Sequence, residues 1–208
     1  ADTALLGDNV HLLALRAGPR VAKVLSLDGL GIMRFDRTRS EVLATAGLHA
    51  KGAVSLFRYE AEFYGQFGTQ DNAQVLAWLL GIRAGVSLGE KRGADIFVGA
   101  DIVSGDGDTT DKTKAAFDTL YATNHKFYGH MDHYLNLPAH TGGRGLVDIL
   151  LSAQGRPEQG FKIGLDVHAL LAAAPGGNSF HGIELDLNSG WSPWKAFTLS
   201  WGVWAYIP

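Results

Sequence analysis

Along most of this chain apolar and polar side chains alternate one by one, and no other feature restricts its fold as much. A period of two places successive side chains on opposite faces of a β-strand. In 41–51, Val42, Ala44, Ala46, Leu48 and Ala50 share one face and Glu41, Thr45, His49 and Lys51 the other. In 54–68, Phe57, Tyr59, Ala61, Phe63, Gly65 and Phe67 oppose Arg58, Glu60, Glu62, Tyr64 and Gln66. Segment 74–88 sets Leu76, Trp78, Leu80, Ile82, Ala84, Val86 and Leu88 against Arg83 and small residues, and 94–104 sets Ile96, Val98, Ala100 and Ile102 against Asp95 and Asp101.

The rhythm resumes after a polar interruption. Val147, Ile149, Leu151 and Ala153 face away from Asp148, Ser152 and Gln154. In 161–173 the apolar set from Phe161 to Leu171 opposes Lys162, Asp166 and His168, and in 179–188 Ile183, Leu185 and Leu187 oppose Glu184, Asp186 and Asn188. In 196–207, Phe197, Leu199, Trp201, Val203 and Ile207 oppose Thr198, Ser200, Trp204 and Tyr206. With two mixed segments, 9–17 and 20–35, the pattern predicts about ten strands, many longer than the roughly five or six residues usual in soluble sheets.

Turn residues punctuate the strands at 16–20, at Gly52-Ala53, at 155–160 and at 174–178, and these connections leave no room for crossover helices. The segment 105–143 is different. Its Gly105-Asp106-Gly107-Asp108-Thr109-Thr110-Asp111 opening and its aromatic and histidine content read as a long loop, with a short helix near 113–121 or a further strand near 125–137 as options.

Composition removes several classes. No apolar run approaches the roughly 18 residues of a membrane helix. The chain has no cysteine, so neither a disulfide framework nor a thiolate zinc site is available. A net charge of -3 without a basic run gives no footprint for nucleic acid. The start at Ala1 shows no basic segment followed by an apolar one, so any signal peptide has been removed or lies upstream.

Two architectures compete for an alternating antiparallel chain: a membrane barrel and a soluble β-sandwich acting as a binding module. Over the better strands the apolar face carries no Asp, Glu, Lys or Arg, as lipid contact requires, since a midplane charge costs roughly 2–4 kcal/mol. Strand lengths near the roughly 9–11 residues of a tilted membrane crossing and aromatics on the apolar face favour the barrel. The fold expected is therefore an all-β, antiparallel transmembrane β-barrel, with residues 1–208 forming one barrel domain or a fragment of a larger one.

One stretch carries a resemblance. Tyr64-Gly65-Gln66-Phe67-Gly68, Ala77-Trp78, Ala84-Gly85, Ser104-Gly105-Asp106-Gly107-Asp108 and above all the run from Phe117 to Asp132 (FDTLYATNHKFYGHMD) resemble the alginate-export family of outer-membrane porins. The similarity covers roughly 54–140 strongly and the rest through strand pattern. It implies a larger closed barrel of about eighteen strands in the bacterial outer membrane, a channel rather than an enzyme, passing polysaccharide or small polar solutes passively. The partners implied are outer-membrane lipid, the solute and periplasmic export components; no cofactor is required. The ending Trp201–Pro208 resembles the aromatic closing strand of outer-membrane proteins.

Under this reading the polar face lines the pore, and the solute-contact candidates are Lys51, Arg58, Glu60, Glu62, Arg83, Asp101, Lys162, Asp166, His168, Glu184 and Asp186. A pore for an anionic polymer is expected to be lined with cations. This wall is not: Lys51, Arg58, Arg83 and Lys162 stand against Glu41, Glu60, Glu62, Asp95, Asp101, Asp148, Asp166, Glu184 and Asp186. Either strands outside the chain supply the cations or the solute is not alginate.

Other chemistries have bland counterparts. Asp106, Asp108 and Asp111 offer oxygens for calcium, but their spacing is not that of an EF-hand, and a solvated loop explains them. His125, His130, Asp132 and His133 do not form a recognised zinc spacing, and loop packing suffices. A barrel enzyme needs a nucleophile within reach of a base; His168, two residues from Asp166, has no evident nucleophile. Opposed charges such as Arg58, Glu60, Glu62 and Arg83 can also serve as cross-strand ion pairs. Finally, if the last strand ends in the periplasm, parity puts 105–143 on the periplasmic side, where it could fold inward and gate the pore.

Overall fold

The computed structural model describes residues 9–22, 24–89, 92–174 and 176–208. Among these residues twelve strands form one sheet: β1 (Val10–Ala17), β2 (Arg20–Ala22), β3 (Leu25–Asp36), β4 (Glu41–Val54), β5 (Phe57–Gln70), β6 (Ala73–Leu88), β7 (Gly93–Val103), β8 (Thr113–Lys114), β9 (Leu146–Arg156), β10 (Phe161–Leu171), β11 (Phe180–Trp194) and β12 (Phe197–Ile207). Neighbours run β1-β3-β4-β5-β6-β7-β9-β10-β11-β12, all antiparallel; β2 hangs on β3, and β8 pairs parallel with β6. No α-helix occurs among the described residues, and no helix is long and apolar enough to cross a membrane.

Register explains the alternation. Across the sheet, Glu62 lies opposite Gly81, Gly81 opposite Asp101 and Asp101 opposite Asp148, while His168 lies opposite Glu184 and Asp166 opposite Asp186. One residue out of step, every position would change face. The other face carries Leu76, Val98 and Val203, which are 68, 59 and 66% exposed, whereas Asp148, Glu184 and Asp186 on the polar face are 1, 0 and 0% exposed. This is the reverse of a soluble sandwich, whose apolar faces meet in a core. Aromatic residues crowd the apolar face near one rim, where Trp194 and Phe197 stack with ring centroids 5.4 Å apart and Phe161 lies 6.2 Å from Trp201. On β5, Phe57 and Phe67 are ten residues apart, which at a tilt near 40° spans about 26 Å, close to the apolar band of an outer membrane.

The turns follow their residue chemistry. Asp71 and Asn72 both have positive φ, 51° and 65°, the two-residue hairpin turn whose twist matches the strands it joins. The turn expected at Gly52-Ala53 lies instead at Ser55-Leu56, because β4 runs on to Val54 and Gly52 pairs with Tyr59, whose ring crosses the space a Cβ at 52 would fill. The segment 20–35 divides into β2 and β3.

Between β7 and β9 the chain makes one long excursion, and yet Val103 and Leu146 are direct partners in the sheet. This segment contains neither the helix expected near 113–121 nor a strand within 125–137. Thr113 and Lys114 form β8 where β6 extends beyond β7, with Asp111 accepting from the Thr113 N–H at 2.7 Å. The rest has short 3₁₀ turns at Asn124–Lys126 and Ala139–Thr141. It cannot add a strand between its own stems, since β7 and β9 already pair with each other.

Candidate functional site

The long loop, residues 104–145, does not stand away from the sheet; it lies on the polar face. Near the loop's stems that face is itself apolar: Ala77, Leu79, Val103, Leu146 and Leu170 project from the wall and pack with Phe117, Tyr128, Tyr134 and Leu137 of the loop. Where both faces of a strand are covered, alternation gives way to continuous apolar sequence. Leu79-Leu80, Leu150-Leu151 and Leu170-Leu171 are the places where it does so, and they are the signal that strand-by-strand reading of polar residues passed over.

Polar contacts fix the loop in register with the wall. Gln66 of β5 receives the Asp118 N–H on Oε1 at 2.9 Å and donates from Nε2 to the Asp118 carbonyl at 2.6 Å and to Thr45 at 3.0 Å. Arg34 of β3, paired with Glu41, also donates to Asp118 Oδ2 at 2.9 Å. Lys114 reaches Asp71 at 2.8 Å. On the far side, the backbone N–H groups of His130 and Met131 donate to Asp186 at 3.1 Å and Glu184 at 2.7 Å. Gly129, at φ +90°, lies so close to Glu184 that a Cβ there would fall 2.4 Å from the carboxyl carbon. Here the side chain missing from position 129 is what lets backbone amides meet buried carboxylates.

The wall carboxylates beneath the loop form a connected group. His168 Nδ1 is 2.8 Å from Asp148, its Nε2 looks toward Asp186 at 3.8 Å, and His130 Nδ1 is 3.5 Å from the same Asp186 oxygen. One oxygen each of Asp148, Asp166, Glu184 and Asp186 is buried without a hydrogen-bond partner. Arg83 donates to Asp101 at 2.7 Å and lies 5.6 Å from the centre of the Phe127 ring. Burial, reinforced by the nearby Asp101, Glu62 and Asp148, pushes the Tyr128 phenol far above its ordinary value, and burial with a Tyr206 hydrogen bond does the same for Tyr134. Both phenols stay neutral at physiological pH.

The residues expected to face a solute therefore differ in exposure. Asp101, His168, Glu184 and Asp186 are buried beneath the loop. Arg83, Glu62 and Asp166 are partly covered, while Lys51, Glu60 and Lys162 are exposed. Arg58 turns back to the carbonyls of Ser55 and Phe57 at 2.7 and 3.0 Å. His49 is 2.7 Å from Glu60. Sequence reading did not single out the loop's partners on the wall, Gln66 and Arg34, as docking points.

The other candidates resolve into local roles. Asp106, Asp108 and Asp111 each cap the backbone N–H two residues on, at 3.2, 3.0 and 2.7 Å, and the hydroxyl and amide of Thr110 hold the Asp108 carboxyl below its ordinary value. Among the described residues no three His, Asp or Glu side chains converge as a metal site. His125 pairs with Asp132, and the His133 ring lies 4.3 Å from that of Tyr206. The buried His168 lies between two carboxylates, Asp148 and Asp186.

An all-β antiparallel sheet with a greasy outer face, aromatic rim and polar inner face is the wall of a transmembrane β-barrel, here with a loop folded onto its inner side. A family model described as alginate export matches residues 22–168, and the chain belongs to that family. Its members are outer-membrane β-barrel transport proteins, not enzymes. No curated protein matches the chain.

Proposed function

We propose that residues 1–208 form part of one barrel that serves as an outer-membrane channel, through which polysaccharide or small polar solutes pass by passive diffusion, and that the loop 104–145 restricts the passage. The observation that supports this reading is the inverted burial, apolar side chains outward and ion-paired polar ones inward, under a loop hung from two adjacent strands. Lys51, Arg58, Glu60, Glu62, Arg83, Lys162 and Asp166 then meet the solute directly. Asp101, His168, Glu184 and Asp186 meet it only when the loop withdraws. With the end of β12 in the periplasm, the loop stems sit on the periplasmic rim, where export components would approach them.

Single-channel conductance of the full-length protein in planar bilayers tests both halves. Discrete steps are expected, with larger ones after residues 106–143 are replaced by a short Gly-Ser link. Unchanged conductance in the deletion rejects the loop as a restriction, and a protein without conductance rejects the channel.

A further inference from the structure

The loop does not cover all of the inner wall. Toward the rim away from the loop stems, β9 to β12 enclose an open groove of about 770 Å³, bounded on one side by His130 at the loop tip. Its floor contains Gly164, Gly190 and Gly202, where strands present bare backbone. Hydroxyls and amides surround this floor, with Lys162 and Asp166 as its charged side chains.

Over the floor lies one aromatic plate. The Trp204 indole N–H donates to Asn188 at 3.1 Å, and the ring passes so close to Gly202 that a Cβ there would be 2.9 Å from Cζ2. The residue is 45% exposed, and the His130 ring stands 5.8 Å away at 33°. Asn188 and Gly202 thus hold the indole along the wall with surface left open. Such a plate, with its negative π-face, suits the C–H face of a pyranose ring, and the surrounding hydroxyls and amides suit its hydroxyl groups.

Charge then selects among saccharides. Three wall arginines are spent on carboxylates, Arg34 on Glu41 and Asp118, Arg83 on Asp101 and Arg156 on Asp95, and Arg58 is turned to the Ser55 and Phe57 carbonyls, so none of the four lines this groove. Next to the groove, beneath the loop, stand Asp148, Glu184 and Asp186, three buried carboxylates with an unpartnered oxygen each and only His168 and His130 as neighbouring bases. A polymer carrying a carboxylate on every sugar meets a single lysine, Lys162, against Asp166 and this acidic background. We propose that the groove is a saccharide-binding subsite with Trp204 as its stacking platform, and that its ligand is a neutral rather than a uronate glycan. The inference rests on the channel reading and narrows its solute.

The test is current blockade of the reconstituted full-length protein by maltohexaose and, at equal concentration, by hexamannuronate. Wild type is expected to show transient blockades with maltohexaose and far fewer with hexamannuronate. Trp204→Ala should raise the half-blocking maltohexaose concentration about fivefold or more, and Trp204→Phe, which keeps a ring, less than about twofold. Heat-modifiable gel migration reports folding. Should Trp204→Ala not fold, Asn188→Ala, which frees the indole without removing it, is expected to raise the same concentration about twofold to threefold. Blockade by hexamannuronate equal to or stronger than that by maltohexaose, or blockade unchanged in the variants, overturns the inference while leaving the channel standing. Absence of current steps in the wild type removes the channel reading and this inference with it.

Discussion

Gly129 shows how one missing side chain can position a whole loop. Its positive φ and its closeness to Glu184 let the next two amides reach carboxylates that would otherwise be buried with fewer partners. Gly129→Ala is expected to weaken loop docking by about 1–3 kcal/mol, from backbone strain and the clash with Glu184 together. Gly142→Ala, at φ +58° but with nothing within 4 Å of the added methyl, carries the backbone strain without a clash and should cost about 1–2 kcal/mol, less than the Gly129 variant. Hydrogen exchange at loop amides, measured in detergent, ranks the two; equal protection in both variants would show that the Gly129 contact does not hold the loop. None of this was legible in the sequence. A glycine near histidines reads as a turn, and its partner lies more than fifty residues away on β11. The polar wall residues themselves were legible, because alternation names a face without naming what touches it.

At the level of strands, the long runs with uncharged apolar faces were read correctly, since period-two patterning needs no knowledge of neighbours. Boundaries slipped where neighbours decided them, as at Gly52, which stays in β4 because Tyr59 covers it. Inside the excursion between β7 and β9 the expected helix and strand do not form: its backbone N–H groups bond partly within tight turns, as from Tyr128 to Asn124 and from Gly143 to Pro138, and partly to side chains of distant strands, as from Asp118 to Gln66 and from Met131 to Glu184. The apolar face carries its own expectation. Val98→Arg, in mid-strand of β7, should destabilise the protein by roughly 2–4 kcal/mol, and Phe57→Arg, at the rim of β5, by about 0–1 kcal/mol beyond its lost packing. Urea unfolding in lipid vesicles measures the difference; a larger cost at the rim would contradict the placement of the membrane band.

For the molecule as a whole, β1 and β12 each present one edge that pairs with no other strand among the described residues. In lipid an open ladder is untenable, because each unmet backbone group costs several kcal/mol, so these edges call for further strands or a second copy. The inner wall offers more carboxylates than free cations, and a tenfold KCl gradient across the reconstituted channel should give a cation-selective reversal potential. Anion selectivity would mean that residues outside this wall set the field. One arrangement carries a further consequence. The two ends of the loop leave and rejoin the sheet at a bonded pair of residues, Val103 and Leu146, and the Asp106 N–H closes onto the Gly143 carbonyl at 2.8 Å just beyond it. Releasing everything past that closure shifts no strand register, and with its ends pinned the released segment gains less freedom than an untethered one. The inner segment can therefore melt and reseat as its own cooperative unit while the wall stays folded, with two separate protection levels in exchange rather than one.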